Sequence, residues 1–389
     1  MLRNPLNSPA TPRGTVWHLL LNYAPEFSCR DAPIFLEPTP PSPRDREIAS
    51  RLLDAFNAAT AYERTKIPPE SRPFDGIWNV NKYVFHNDLE KALATNHAAD
   101  VADALRNCFR EKAAFGLGHG ERLFQVLSDS PDGREANVLI VNDRLLSLAV
   151  ALGAIPQEVP EQGPYGANSK LPPEQIVAAA EAVIGADISR PRVMGAFGPL
   201  IGDRLFDARS AEDAYSAFRL CQILGNRETA LVWEIGAGFG GVPLQAIRMG
   251  IGSYVTFDLP LISVVQGWFL AHALGPEMVS FFGEANARIA IRPYWEVHTW
   301  PHHPSIIFNR DSLPEIHEPR AREYLNKVEQ LRCLFLSINQ ESRGVAVATR
   351  DVHQTWVPGL MDGRAGVKRL SRHPYWIRRG YVEELYGPA

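Results

Sequence analysis

Cysteine is scarce in this chain: 389 residues contain only Cys29, Cys108, Cys221 and Cys333, and no two form a CxxC pair. That excludes a disulfide framework and a cysteine-built zinc site, and it is the usage of a reducing compartment, so a cytoplasmic location is expected. A surplus of positive charge is also missing. Forty basic residues face 44 acidic ones, for a formal charge of -4, so no broad cationic field favours nucleic acid or an anionic membrane as partner. Long apolar runs are absent too. The segment from Leu259 to Pro276 carries no acidic or basic residue, but it falls short of a membrane span and holds Gln266, Gly267 and His272. It reads as a helix buried on a sheet. The early apolar stretch from Trp17 to Leu21 is too short for a cleavable leader and lacks the pattern of a basic n-region followed by a small-residue cleavage site. No internal repeat or low-complexity tract is evident.

The length allows two or three compact units. Prolines crowd the opening, notably Pro38, Pro40, Pro41 and Pro43, and no period runs through it. A helix then starts at Ser42 as cap with Pro43 in its first turn, its apolar face formed by Ile48, Leu52, Ala55, Phe56 and Ala59. Two further helical faces follow, Val101, Leu105, Cys108 and Phe109, then Leu145, Leu146, Leu148 and Leu152. The stretch from Gly153 to Pro173 is dense in breakers and marks a boundary or a substrate-facing loop. We therefore expect a mainly helical region over 1–170, serving as a lid or in oligomerisation, and an α/β domain over 171–389. Beyond Ser210, which with Asp213 opens a helix through Leu224, helices alternate with the apolar runs Ala230–Ile235, Tyr254–Phe257, Val279–Phe282, Ser305–Phe308 and Leu334–Ile338. Such alternation predicts a Rossmann-like, doubly wound, mostly parallel sheet.

The most informative segment runs from Leu231 to Gly241, an apolar strand entering a glycine turn and then a helix that begins near Pro243. Glycine is required where a backbone turns tightly against a ligand. Spacing alone leaves the ligand open: Gly236, Gly238 and Gly240 fit GxGxG, whereas Gly236, Gly238 and Gly241 fit the dinucleotide pattern GxGxxG. Glu234, two residues before the first glycine, tilts the choice. A carboxylate there sits badly beside a pyrophosphate but suits an ammonium and a cationic sulfonium, which favours S-adenosyl-L-methionine. Asp258, at the end of the next strand, can accept both ribose hydroxyls in either ligand class, and Glu284, after the run ending at Phe282, can accept from an adenine amine by the same topology. The structural alternatives are a plain turn, a helix cap at Asp258 and a solvated Glu284.

The segments EIGAGFGG at Glu234–Gly241, FDLP at Phe257–Pro260 and FNRDSLPEI at Phe308–Ile316, with Tyr324 downstream and a closing GYVEELYG, resemble the sugar O-methyltransferase family. The resemblance spans roughly 195 to 389. It implies a class I methyltransferase fold, S-adenosyl-L-methionine as cofactor, and a site in which Glu234, Gly236, Ala237, Gly238, Gly240, Asp258, Leu259, Glu284 and Asn309 hold the cofactor. Ile316 replaces the family's usual methionine, and Arg310 is bulky for its place beside Asn309.

Transfer of a methyl group to a hydroxyl needs in-line geometry and a base for the proton. Asp311, Glu315 and His317 follow the fourth strand, where they can face the crevice at the strand ends, and Asp311 with His317 is the expected base or orienting pair. Asp311, Ser312 and Glu315 can equally be a cap for a helix over 315–330. His298, His302 and His303 beside Glu296 read as a surface loop, and no metal site is expected. Trp295 and Trp300 can stack on a sugar, although burial is the commoner use. The expected partner is a small-molecule or carbohydrate acceptor, with self-association left open. Methylation of another small metabolite at oxygen or nitrogen, a nicotinamide oxidoreductase and a non-catalytic binding protein are the competing readings.

Overall fold

The computed structural model describes residues 29, 31–69, 72, 84–117, 120–158, 167–341 and 355–389. The run Trp17–Leu21, most of the opening before Pro38 and part of the breaker-dense stretch lie outside the described residues.

Helices α1 (Asp45–Lys66), α2 (Asn87–Ala94), α3 (Ala98–Arg106), α4 (Glu121–Asp129), α5 (Pro131–Ala151) and α6 (Pro173–Ile184) come first. Strand β1 (Ile34–Phe35) precedes them and pairs with β2 (Gly198–Ile201), which pairs with β3 (Arg204–Leu205) in a small antiparallel sheet. The helix expected from Ser42 starts at Asp45 with no side-chain cap; Ser42 instead donates its own N–H to the Asp45 carboxylate at 3.2 Å.

From α7 (Ala208–Ile223) onward the chain alternates strand and helix: β4 (Leu231–Ile235), α8 (Gly241–Arg248), β5 (Ser253–Asp258), α9 (Pro260–Leu274), β6 (Val279–Ser280), β7 (Ile289–Pro293), β8 (Ile306–Arg310), α10 (Glu318–Leu331), β9 (Leu334–Gln340), α11 (Val357–Met361), β10 (Val367–Pro374) and β11 (Tyr381–Pro388). Their strands form one sheet in the order β10-β11-β9-β8-β4-β5-β7-β6, parallel throughout except where β11 runs against both neighbours. This is the doubly wound, mostly parallel α/β sheet that the alternation of runs and helices predicts, with the order reversing at β4. Helix α7 starts at Ala208 rather than Ser210, because Asp207 accepts the Ser210 N–H while the Ser210 hydroxyl accepts the Asp207 N–H.

The sheet is apolar on both faces, as a covered parallel sheet must be. Side-chain alternation sends Val232, Tyr254, Ile306 and Phe308 into one core, shared with the faces of α1, α3 and α5, and Trp233, Ile235, Val255, Phe257 and Ile307 into another under α10. Helix α9 is the uncharged segment seen in the sequence, and it is buried almost all round, lying against α1 where a Cβ at Gly267 would strike Leu52 and Phe281. No helix among the described residues is long and apolar enough to cross a membrane. Gln266, the polar residue in that buried surface, accepts from the Thr256 hydroxyl at 2.5 Å and donates to the Gly238 carbonyl at 3.0 Å, so the helix braces the glycine turn.

Candidate functional site

At the carboxyl ends of β4, β5 and β8 a cleft encloses about 1300 Å³ of empty space, part of it open to solvent. Its floor is the turn after β4. Gly236, Gly238 and Gly240 all adopt left-handed backbone, at φ 68°, 58° and 95°, which side chains other than glycine rarely accept. Space matters as much as torsion at Gly236, where a Cβ would fall on the Ser312 hydroxymethyl group. At Gly241, the first residue of α8, a Cβ would fall on the Asp213 carboxylate.

Two carboxyls face this turn, one buried and one half-buried. Glu234 is 2% exposed, accepts a hydrogen bond from the Tyr254 hydroxyl at 2.8 Å, and is pushed by burial up to about 8. Tyr254 reaches it because β4 and β5 pair with Val232 beside Tyr254, a diagonal neighbour on the same face of the sheet. Asp258 accepts from the N–H groups of Gly238 at 3.2 Å and Leu259 at 2.8 Å, yet burial outweighs those bonds and raises it to about 7. Both line the cleft together with Gly236, Ala237, Gly238 and Leu259. The sequence-derived set therefore converges, with three exceptions.

Glu284 is the first exception. It is not among the cleft-lining residues; its carboxylate is gripped by Arg51 at 2.8 and 2.9 Å and accepts the Phe281 N–H. Burial alone would raise its pKa, but Arg51 and that N–H hold it below the ordinary carboxylate value. The expectation failed because the run Val279–Phe282 supplies only the two-residue edge strand β6. The strand next to β5 is β7, and its carboxyl end delivers Tyr294 to the cleft, with the Tyr294 hydroxyl donating to Glu63 at 2.9 Å. Asn309 is the second exception. It is fully buried, donates to the Ile235 carbonyl at 2.8 Å and to Ser312 Oγ at 2.5 Å, and accepts from Asn339 at 2.9 Å. It braces the glycine turn from behind instead of facing the cleft. Gly240, the third, lies behind the turn against Leu270 and Gln266.

The segment after β8 does enter the cleft, with Asp311, Ser312, Glu315, Ile316 and His317 on its wall. Asp311 does not pair with His317. Its Oδ2 accepts from Arg209 Nη1 at 3.1 Å and Arg378 Nη1 at 3.0 Å. Burial would raise the Asp311 pKa; Arg209, Arg378 and Arg310 outweigh it and hold the carboxyl below its ordinary value. Such a carboxylate is a weak base. Nor is the segment a cap: α10 begins at Glu318 with His317 as its cap residue, and the Ser312 hydroxyl donates to the Ile235 carbonyl at 2.8 Å.

The histidine-rich loop holds no group of three metal-ligating side chains among the described residues. His303 Nε2 lies 2.7 Å from the Leu331 carbonyl, and burial holds His298 below its ordinary pKa. Trp295 stacks on Tyr62 and Trp300 lies under Arg292; neither lines the cleft. Sequence reasoning missed Arg209, Arg320, Arg378, Tyr294 and Tyr381, all cleft-lining. Their spacing in the chain carries no signal, because the folding of distant elements brings them together.

No family model matches the chain, and no curated protein matches it either. Among solved structures it is similar to the glycopeptide N-methyltransferase MtfA, at 13% identity over 46% of this chain and 96% of that one, TM-score 0.36. The PH0226 protein from Pyrococcus horikoshii OT3 gives 9% identity over 46% and 92%, TM-score 0.34. A structure described by conversion of a disulfide bond into a thioacetal group during echinomycin biosynthesis gives 13% over 45% and 81%, TM-score 0.33. Likeness at this level carries no argument, so function rests on the cleft itself.

Proposed function

We propose that the protein is an S-adenosyl-L-methionine-dependent O-methyltransferase acting on a hydroxyl of a sugar or glycoside. One observation carries this reading: a carboxyl at each of two neighbouring strand ends, the buried Glu234 before the glycine turn and the half-buried Asp258 after the next strand, opens into the same cleft as the 311–317 segment. The residues present fit such a cofactor. Glycines at 236 and 238 let the backbone approach closely, Glu234 would hold the ammonium of the methionine end, and Asp258 would accept the ribose hydroxyls. When bound, the cofactor supplies an electrophilic methyl group on a sulfonium.

The chain's own task is then to place an acceptor hydroxyl and remove its proton. His317 and Glu315 stand on the acceptor wall and are the candidates for proton removal. Asp311, held ionised by two guanidiniums, orients those guanidiniums instead. A nicotinamide dinucleotide fits less well, because its pyrophosphate would leave Glu234 without the cation that a buried carboxylate needs.

Calorimetry decides between them. S-Adenosylhomocysteine should bind, NAD should not, and Asp258→Ala should weaken the former by about 100-fold through loss of two charge-assisted hydrogen bonds. Tight NAD binding with no response to S-adenosylhomocysteine would overturn the reading. The acceptor class is tested by mass and fragmentation of the methylated product.

The raised carboxyls also set a pH dependence. Burial keeps Glu234 protonated up to about 8, whereas an ammonium needs the carboxylate, so binding must release the proton. Affinity for S-adenosylhomocysteine should therefore rise about tenfold or more from pH 6 to 8, and Glu234→Gln should make that rise shallower, leaving the part due to Asp258. An equally steep profile in the variant would remove Glu234 from the ammonium site. Stability of the ligand-free protein should move the opposite way. A carboxyl raised in the folded state contributes its stability below the unfolded pKa and loses it as pH climbs through the folded one, here about 7 for Asp258 and about 8 for Glu234.

A further inference from the structure

The acceptor end of the cleft is built from arginine. Order in the sheet places Asp258 after β5, the glycine turn after β4 and Asp311 after β8, so the cleft runs from the proposed ribose site across the turn toward Asp311. Beyond it stand Arg209, from the first turn of α7, and Arg378, from the turn joining β10 to β11. Both guanidiniums meet Asp311 Oδ2 through a single nitrogen each, Nη1, at 3.1 and 3.0 Å. The other donors of each fork make no hydrogen bond to described residues, while the side chains remain 21% and 31% exposed and line the cleft.

Nearby carboxylates do not fill that surplus. Glu212 Oε1 is held by Arg144 at 2.7 Å, and its Oε2 adds longer ion pairs to the same two Nη1 atoms, at 3.6 Å from Arg209 and 3.9 Å from Arg378, leaving the other nitrogens of each fork unbonded among the described residues. Asp213 is taken by Arg190 and Arg310. Asp311 by hydrogen bonds and Glu212 by longer ion pairs thus hold two planar forks through Nη1 alone, and the remaining edges are unspent, an arrangement suited to bidentate capture of an oxyanion. Asp311 holds that anchoring place at φ 70°, backbone that a non-glycine residue keeps only when its surroundings demand it. Arg378 is further fixed by the Tyr381 ring, 4.1 Å from its guanidinium carbon.

We infer that Arg209 and Arg378 receive a phosphate or carboxylate carried by the acceptor, so that the substrate is an anionic sugar derivative and not a neutral one. This rests on the methyl-donor reading for its function but not for its binding chemistry. Asp311 acts as the positioning residue that aims the pair.

The full chain is titrated by calorimetry with glucose, glucuronate and glucose 1-phosphate, and separately with S-adenosylhomocysteine. At least one anionic probe should bind about tenfold or more tightly than glucose, and which one wins identifies phosphate or carboxylate. Arg378→Gln and Arg209→Gln should each remove that preference while leaving S-adenosylhomocysteine affinity within about threefold. Thermal melting checks that the variants fold, and Arg378→Lys, which keeps the charge without the fork, should retain only part of the preference. Probes that bind no more tightly than glucose, or a preference that survives both glutamine variants, would overturn the inference. An arginine-dependent anion preference with no S-adenosylhomocysteine binding would leave this site standing and remove the methyl-donor reading instead.

Discussion

Asp213→Ala should lower the free energy of unfolding by about 3–5 kcal/mol, the range for removing one member of a buried ionic network. Asp213 is fully buried and bridges Arg190 at 2.8 Å and Arg310 at 2.5 Å, with Asp207 completing the Arg190 pair at 2.7 Å. Deleting it leaves the mostly buried Arg310 guanidinium without a hydrogen-bonded carboxylate, holding only the Ser216 hydroxyl at 3.1 Å among the described residues, and leaves Arg190 with Asp207. The same carboxylate lies where a Cβ on Gly241 would be, so the network is also the seat on which the glycine turn rests. Urea denaturation gives the measurement, and Asp213→Asn, which keeps the shape but not the charge, should fall between wild type and alanine. A loss below about 1 kcal/mol, the scale of a surface ion pair, would mean that the two arginines find other partners.

Gly236→Ala should nearly abolish binding of S-adenosylhomocysteine, by about 100-fold or more, while the protein still folds. Two costs combine: left-handed backbone at φ 68° carries a strain of about 1–3 kcal/mol for a residue with a side chain, and the new methyl group displaces Ser312 from the Ile235 carbonyl. Relief comes only by parting the turn from the segment after β8, and those are the two walls between which the ligand is proposed to lie. Alanine at Gly225, an open position where nothing lies within reach of a Cβ, is the control and should change neither binding nor stability appreciably. Unchanged affinity in Gly236→Ala would show that the turn does not contact the ligand.

Much of this site could be read from local sequence because its parts obey local rules. The glycine turn announces itself by composition, and Asp258 by its place at a strand end. The apolar face of each flanking helix shows in its spacing. Glu284 went astray for a definable reason: Val279–Phe282 and Ile289–Pro293 are both short apolar runs, and periodicity cannot say which one joins the sheet centre and which stays at the edge. Asp311 went astray differently. Its position after β8 was legible, but its protonation behaviour depends on Arg209 and Arg378, which lie 102 and 67 positions away in the chain.

What the amino-acid order fixes unaided is whatever a strand, a turn and the helix after it need in order to form: the alternation of elements, the left-handed glycines and the acids at the strand ends. Tertiary structure alone decides which charges end up facing one another, because an ion pair costs or stabilises according to burial and distance, and neither exists until α7, β8 and the last hairpin have packed. The arginine-lined end of the cleft belongs wholly to that second kind.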